Sequence, residues 1–166
     1  MYLDCSKLQL LKNKQLQTNF DGISILFLSN RNSCRSQMAE AILRSYNNEL
    51  QIFSAGLEPV DHVSQVAIEV MTEVGINLEQ SIPHSFNEYA NLNFDYLITV
   101  GEGTNEELKI PKVKYKRKMH LGFRSPYKGA KSQEEIKTRC REVRDELLSE
   151  MDYFYRRILK KAATIK

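Results

Sequence analysis

Cysteine and histidine are scarce in this chain. Three cysteines (Cys5, Cys34, Cys140) and three histidines (His62, His84, His120) lie far apart among 166 residues. That spacing offers neither a disulfide framework nor the paired ligands of a zinc site. No metal and no cofactor is expected, and a reducing cytoplasm is the simpler compartment. Long apolar runs are missing too. No stretch is long enough to span a membrane, and Asp4, Lys7, Lys12 and Lys14 break up the first twenty residues, so neither a membrane contact nor a signal peptide is predicted. No charge of one sign dominates. The net +3 is too mild to imply a nucleic-acid partner. There is no internal repeat and no low-complexity segment. What is present, 42% hydrophobic and 27% charged residues, is ordinary for a soluble globular chain, and the length suits one domain with a real core.

One stretch organises the rest: Ile23 to Tyr46, ISILFLSNRNSCRSQMAEAILRSY. The run Ile23–Ser29 is short, apolar and rich in branched and aromatic residues, which predicts a strand buried on both faces. The next seven residues, Asn30, Arg31, Asn32, Ser33, Cys34, Arg35 and Ser36, are polar and contain no carboxylate. Then Met38, Ala39, Ala41, Ile42, Leu43 and Tyr46 mark the apolar stripe of a helix. A strand, a polar loop and a helix start make an anion cradle. Loop amides can curl around an oxyanion while the positive end of the helix dipole points into the same space. The planar fork of Arg35 suits two oxygens of a phosphate-like ion.

Ser29 stands six residues before Arg35, where a cysteine would complete C-x5-R. The string Asn32-Ser33-Cys34-Arg35-Ser36-Gln37-Met38-Ala39-Glu40 resembles the anion loop of arsenate reductases of the low-molecular-weight protein tyrosine phosphatase superfamily, which reads roughly C-T-G-N-S-C-R-S-Q-M-A-E. Ser54-Ala55-Gly56-Leu57-Glu58, Ala67-Ile68 and Glu73-Val74-Gly75-Ile76 continue the likeness in order, over most of the chain from Ile23. The resemblance implies a Cys thiolate nucleophile at the place of Ser29. It implies a general-acid aspartate of an Asp-Pro pair at the place of Ser125, beside Pro126. For the reductases it also implies redox cysteines after the third strand, at Gly101 and Leu108 or at Gly101 and Gly103. None of these positions carries the family's group. Arg31 also departs from the family's glycine and adds positive charge.

The remaining pattern predicts strands over Gln51–Ala55, Asp95–Val100 and Lys116–Leu121, and helices over Val63–Val74 and Ser132–Lys160. The last helix is expected to break or bend, with Ser132 and Glu135 as a capping box. Asp21-Gly22 turns into the first strand, and Glu88–Leu92 reads as a short helix. Together these give an α/β fold: one domain over residues 21–166, with a four-stranded parallel sheet, helices on both faces and a phosphate-binding loop after the first strand. Residues 1–20 form an extension that the family's usual chain lacks. It reads as a short helix with Leu8 and Leu11 on one face, as a partly frayed tail, or as a partner-docking segment.

The function expected is that of a catalytically impaired relative, a pseudoenzyme, which binds phosphate, sulfate or arsenate, or a phosphorylated or acidic protein. The binding set is Ser29, Asn30, Arg31, Asn32, Ser33, Cys34, Arg35 and Ser36. The alternative is an atypical arsenate reductase or phosphatase that uses Cys34, which lies near a helix start beside Arg35. The basic run Lys109, Lys112, Lys114, Lys116, Arg117 and Lys118 is read either as a solvated edge or as a patch for an acidic partner.

Overall fold

The computed structural model describes residues 22–103 and 108–161. The extension expected over residues 1–20, Cys5 included, and Asp21 of the first turn lie outside them. Four strands form one parallel sheet in the order β2-β1-β3-β4.

Strand β1 (Ser24–Ser29) is central, and all six of its residues are buried. Side chains alternate across a strand. Ile25 and Phe27 therefore enter one core cluster, while Leu26 and Leu28 enter the other. β1 pairs with β2 (Gln51–Gly56) and with β3 (Asn93–Gly101), and β3 pairs with β4 (Lys114–Gly122). The helical cover is unequal. Helices α1 (Arg35–Tyr46), α2 (Gln65–Thr72) and α3 (Gln133–Tyr153) all contribute to the first cluster. The second cluster is closed by the 3-10 turn Phe86–Glu88 and its neighbours Tyr89 and Phe94.

Several boundaries differ from the sequence reading, each for a local reason. α2 is shorter than Val63–Val74. The Ser64 hydroxyl accepts the Ala67 N–H at 3.2 Å and starts the helix after Val63. Gly75, at φ +77°, ends it and leaves Val74 39% exposed rather than packed. The short helix expected at Glu88–Leu92 sits earlier, over Phe86–Glu88, because Ser85 and Glu88 make a reciprocal capping box that fixes the first turn there. The box expected at Ser132 forms only in half. Ser132 Oγ accepts the Glu135 N–H at 3.1 Å, but the Glu135 carboxylate takes the Lys131 N–H instead. α3 changes its hydrogen-bond spacing after Tyr153, where Phe154–Leu159 winds more widely. β3 and β4 run longer than their apolar cores because they pair from Asn93↔Lys114 to Gly101↔Gly122.

β4 is an edge strand, and Lys114, Lys116, Arg117 and Lys118 on it are exposed. Charged side chains on an open edge discourage pairing with another chain, which accounts for a basic run here. Lys116 also holds Asp95 at 2.7 Å, and Asp95 Oδ2 in turn accepts the Ser24 N–H at 2.9 Å.

α3 is fastened to the end of α2 by arginines. Arg144, 8% exposed, donates to Val70 O at 2.9 Å and to Glu73 at 2.8 Å, and Arg141 also donates to Glu73, at 2.8 Å. Cations suit the negative end of a helix dipole. The Arg141 hydrogen bonds, joined by those of Arg144, hold the Glu73 carboxyl down at about 2. A depressed carboxyl contributes stability that is present above its unfolded value, about 4.3, and is lost as pH falls through the folded value. The urea midpoint of the wild-type chain is therefore expected to exceed that of Glu73→Gln at neutral pH. The gap should close between about pH 4.3 and about pH 2, and a gap constant over that range would contradict the assignment.

Candidate functional site

The loop between β1 and α1 is built by turning its carbonyls outward. Ser29 O, Asn30 O, Arg31 O and Ser33 O accept the N–H groups of Leu57 (3.1 Å), Glu58 (2.8 Å), Val60 (3.2 Å) and Ser64 (2.8 Å). Each carbonyl lies roughly opposite the next residue's N–H across a planar trans peptide. The amides of Asn30, Arg31 and Cys34 therefore face the other way, toward the hollow of the loop, and that of Asn32 is taken by Ser29 Oγ. Row on row of amides around a hollow makes an anion-binding concavity. α1 starts at Arg35 with no side-chain cap at Cys34, so its N-terminal dipole opens on the same hollow.

Gly56 lets the loop approach β2. A Cβ there would sit 2.8 Å from Asn30 O and 3.0 Å from the Arg31 carbonyl carbon. Asn32 is the hub. Its φ of +51° is a left-handed conformation that asparagine tolerates better than most residues. Its Oδ1 accepts Gln37 Nε2 at 3.0 Å and the His84 N–H at 2.9 Å, and its Nδ2 donates to Ser36 Oγ at 3.0 Å. Its own N–H donates to Ser29 Oγ at 3.0 Å, and Ser29 Oγ lies 2.8 Å from Ser36 Oγ. Asn32, Ser36 and Gln37 are buried, so this network is shielded from water and costly to break.

The proton count matters. Asn32 supplies donors to both hydroxyls, and the Ser29–Ser36 contact uses one hydroxyl proton. The second hydroxyl proton is not used in that contact. The groups bonded to Ser29 Oγ, a hydroxyl and an amide N–H, include no base.

A cleft of about 550 Å³ opens above the loop, lined by Ser29 through Ser36 and closed by Val60, Val100, Glu102 and Ser125–Lys128. All eight residues of the predicted binding set and Ser125 therefore come together. Arg35 Nη1 donates to Phe123 O at 2.6 Å, which leaves the rest of the fork unspent on that bond. Lys128 holds the Glu102 carboxylate at 3.2 Å. This bond, first of several, keeps Glu102 below the usual carboxylate range, with Ser125 N–H and Arg35 acting in the same direction. Tyr127 bonds Ser64 through the two hydroxyls, which ties the β4–α3 loop to the start of α2, and burial pushes its phenol up.

Cys34 lies in the loop, but its side chain is turned into the core. Its Sγ is 3.9 Å from Cys140 Sγ, and the residue is 6% exposed. Contact with the Cys140 thiol and burial push the Cys34 thiol well up, against the opposing charge of Arg35. Among the described residues, no histidine lines the cleft. His120 closes the β3–β4 end instead, between Thr99 Oγ1 at 2.8 Å and Gly103 O at 2.7 Å. Glu102, Gln37, Gly56, Val60 and Lys128 stand at the site without a role assigned to them from the sequence. Only Gln37 and Gly56 had a signal, since both stand inside the strings that carry the resemblance.

Residues 24–164 match the model of the low molecular weight phosphotyrosine protein phosphatase family. The chain belongs to that family. Among its relatives are an arsenate reductase of Bacillus subtilis, 30% identical over 78% of this chain and 93% of the relative, and arsenate reductase 2 of Staphylococcus saprophyticus, 33% identical over 81% and 98%. Among solved structures, the low molecular weight protein tyrosine phosphatase of T. tengcongensis aligns with a TM-score of 0.67 at 20% identity, over 82% of this chain and all of the other. An arsenate reductase in its phosphate-binding state aligns with a TM-score of 0.55 at 25% identity, over 78% and 98%.

Gly56→Ala tests how the loop is held. The added methyl must displace the Asn30 and Arg31 backbone, and overpacking of this kind costs about 1–3 kcal/mol. Chemical denaturation is expected to show that loss, and an unchanged midpoint would mean that the loop gives way freely.

Proposed function

We propose that this chain is a binding member of its family: it holds a phosphate-like oxyanion in the Ser29–Ser36 cleft and does not turn it over. The observation that carries this reading is the outward capture of four loop carbonyls, which turns the loop's amides toward the hollow. Arg35, the start of α1 and the spare hydroxyl proton of the Ser29–Ser36 pair face the same ligand. Phosphate, arsenate and sulfate share the tetrahedral oxygen set such donors fit. One structural relative is an arsenate reductase in a phosphate-binding state, which is consistent with this assignment.

Loss of turnover is supported by the chemistry of what stands at each place. Ser29 offers a hydroxyl whose proton is far harder to remove than a thiol's, with no base bonded to it. Ser125 cannot deliver a proton to a leaving oxygen at neutral pH. Gly101, Gly103 and Leu108 carry no thiol to relay electrons. Cys34, the substitute nucleophile of the alternative reading, is packed against Cys140 with its thiol form favoured. The compartment that suits such a protein is the cytoplasm. The ligand is either the free ion or a phosphorylated side chain, and the basic β4 edge is a further contact for an acidic partner.

Two measurements test the proposal. Calorimetric titration of phosphate or arsenate is expected to saturate in the wild-type chain and to weaken by at least about tenfold in Arg35→Ala, since charge-assisted bonds are the strong ones. Absence of saturation in the wild type would refute anion binding. Hydrolysis of p-nitrophenyl phosphate and thiol-dependent reduction of arsenate are both expected at background. Turnover that disappears in Cys34→Ala would instead establish the alternative enzyme.

A further inference from the structure

We infer that the open edge of β4 docks an extended, acid-rich segment of another protein, which adds to the sheet as a further strand. This deepens the reading of that edge as a contact for an acidic partner and stands apart from the anion site in the cleft.

β4 pairs with β3 on one side, and among the described residues no strand pairs with its other side. An edge strand presents a row of unpaired N–H and C=O groups, and an added strand binds through such groups. The stretch Lys114, Tyr115, Lys116, Arg117 and Lys118 is exposed throughout. Leu97, opposite Lys118, belongs to the second core cluster, and Tyr96, opposite Arg117, belongs to the first. Side chains alternate along a strand. Lys114, Lys116 and Lys118 therefore stand on one face of the edge, and Tyr115 and Arg117 on the other. Lys116 is held by Asp95. Among the described residues, Lys114, Arg117 and Lys118 make no ion pair.

The charge names the occupant. A second copy of β4 would set its lysines against these, and like charges directly opposite are destabilising. The cations that bar self-pairing favour a strand with carboxylates at alternate positions, whose side chains would lie about 5 Å from the lysines. An apolar side chain opposite Tyr115, which is 43% exposed, completes the match. Residues 1–20 of the chain have the wrong charge for this place, with Asp4 as their one carboxylate against Lys7, Lys12 and Lys14. Backbone hydrogen bonds would supply affinity, and the lysine face would supply the choice of partner.

The test is fluorescence anisotropy, with the full chain titrated into a labelled peptide of alternating glutamate and valine. Saturable binding is expected, and Lys114→Gln combined with Lys118→Gln is expected to weaken it at least about threefold through the loss of two cross-strand charge pairs. Lys118→Gln alone serves the same comparison should the double variant fold poorly. The same peptide with every backbone nitrogen methylated keeps the charge and loses the donors, and it is expected to bind at least about tenfold more weakly. Phosphate titration of the double variant is expected to match the wild-type chain, so failure here and failure of the anion site are read separately. Absence of saturation with the peptide would overturn this inference and leave the cleft untouched. Equal binding of the methylated peptide would overturn strand addition. Unchanged affinity in the double variant would overturn the role of the edge, and loss in Arg35→Ala instead would place the peptide in the cleft. Tighter binding of a single-stranded oligonucleotide of equal charge would overturn the acidic segment as occupant.

Discussion

Capture of the β1–α1 loop carbonyls by the backbone that follows β2 is the interaction on which the site depends. The N–H groups of Leu57, Glu58, Val60 and Ser64 take Ser29 O, Asn30 O, Arg31 O and Ser33 O. A buried carbonyl needs a donor, and here the donors lie on one side only. The peptide planes are thereby oriented, and the amides are left on the concave side. The same exchange explains Gly56, whose missing Cβ admits the loop, and Asn32, which accepts a left-handed backbone and spends its amide on Ser36, Gln37 and His84. The hollow of the loop is a product of two strand ends and one glycine.

The chemistry of the cleft follows from what that frame surrounds. Ser29 and Ser36 lie in contact, and the Asn32 N–H reaches Ser29. A serine at this place preserves the hydrogen-bonded shape of the loop and removes the easily ionised group. Arg35 lines the cleft and donates to the Phe123 carbonyl, so the loop after β4 and the β1–α1 loop are mechanically joined. Glu102 and Lys128 balance one another at the rim, which leaves Arg31 and Arg35 as the excess charge of the cleft.

Below the loop, α3 supplies the floor. Cys140, Val143, Leu147 and Met151 are buried against the face that also receives Met38 and Ile42 of α1. Cys34 reaches through the loop to meet Cys140, so the start of α1 is anchored from the core side. Arg144 and Arg141 pin the same α3 to the end of α2, whose first residues hold the loop through Ser64. Both ends of α2 thus connect the cradle to the last helix.

Much of this was legible in residue pattern alone. Continuous apolar character marked β1 as central, and the polar run without a carboxylate marked the loop, because burial on two faces and accommodation of negative charge each leave a local chemical trace. The strings around Asn32–Glu40 and Ser54–Glu58 placed the chain in its family. Local pattern failed where the deciding partner was distant. Both ends of β4 were hidden because exposed lysines on an edge strand carry no alternation, and only pairing with β3 defines them. Val74 read as core until Gly75 turned it outward. Cys34 was the nucleophile of the alternative reading, and contact with Cys140, more than a hundred residues away in sequence, turns it to the interior. Glu102 was a loop carboxylate like any other until Lys128 held it at the rim. The order of residues determined the strand, the loop and the helix start, since those depend on neighbours along the chain. Which way the loop's carbonyls face, and which side chains of distant segments line the cleft, were decided by tertiary structure alone, since both depend on hydrogen bonds between segments that only the folded sheet brings together.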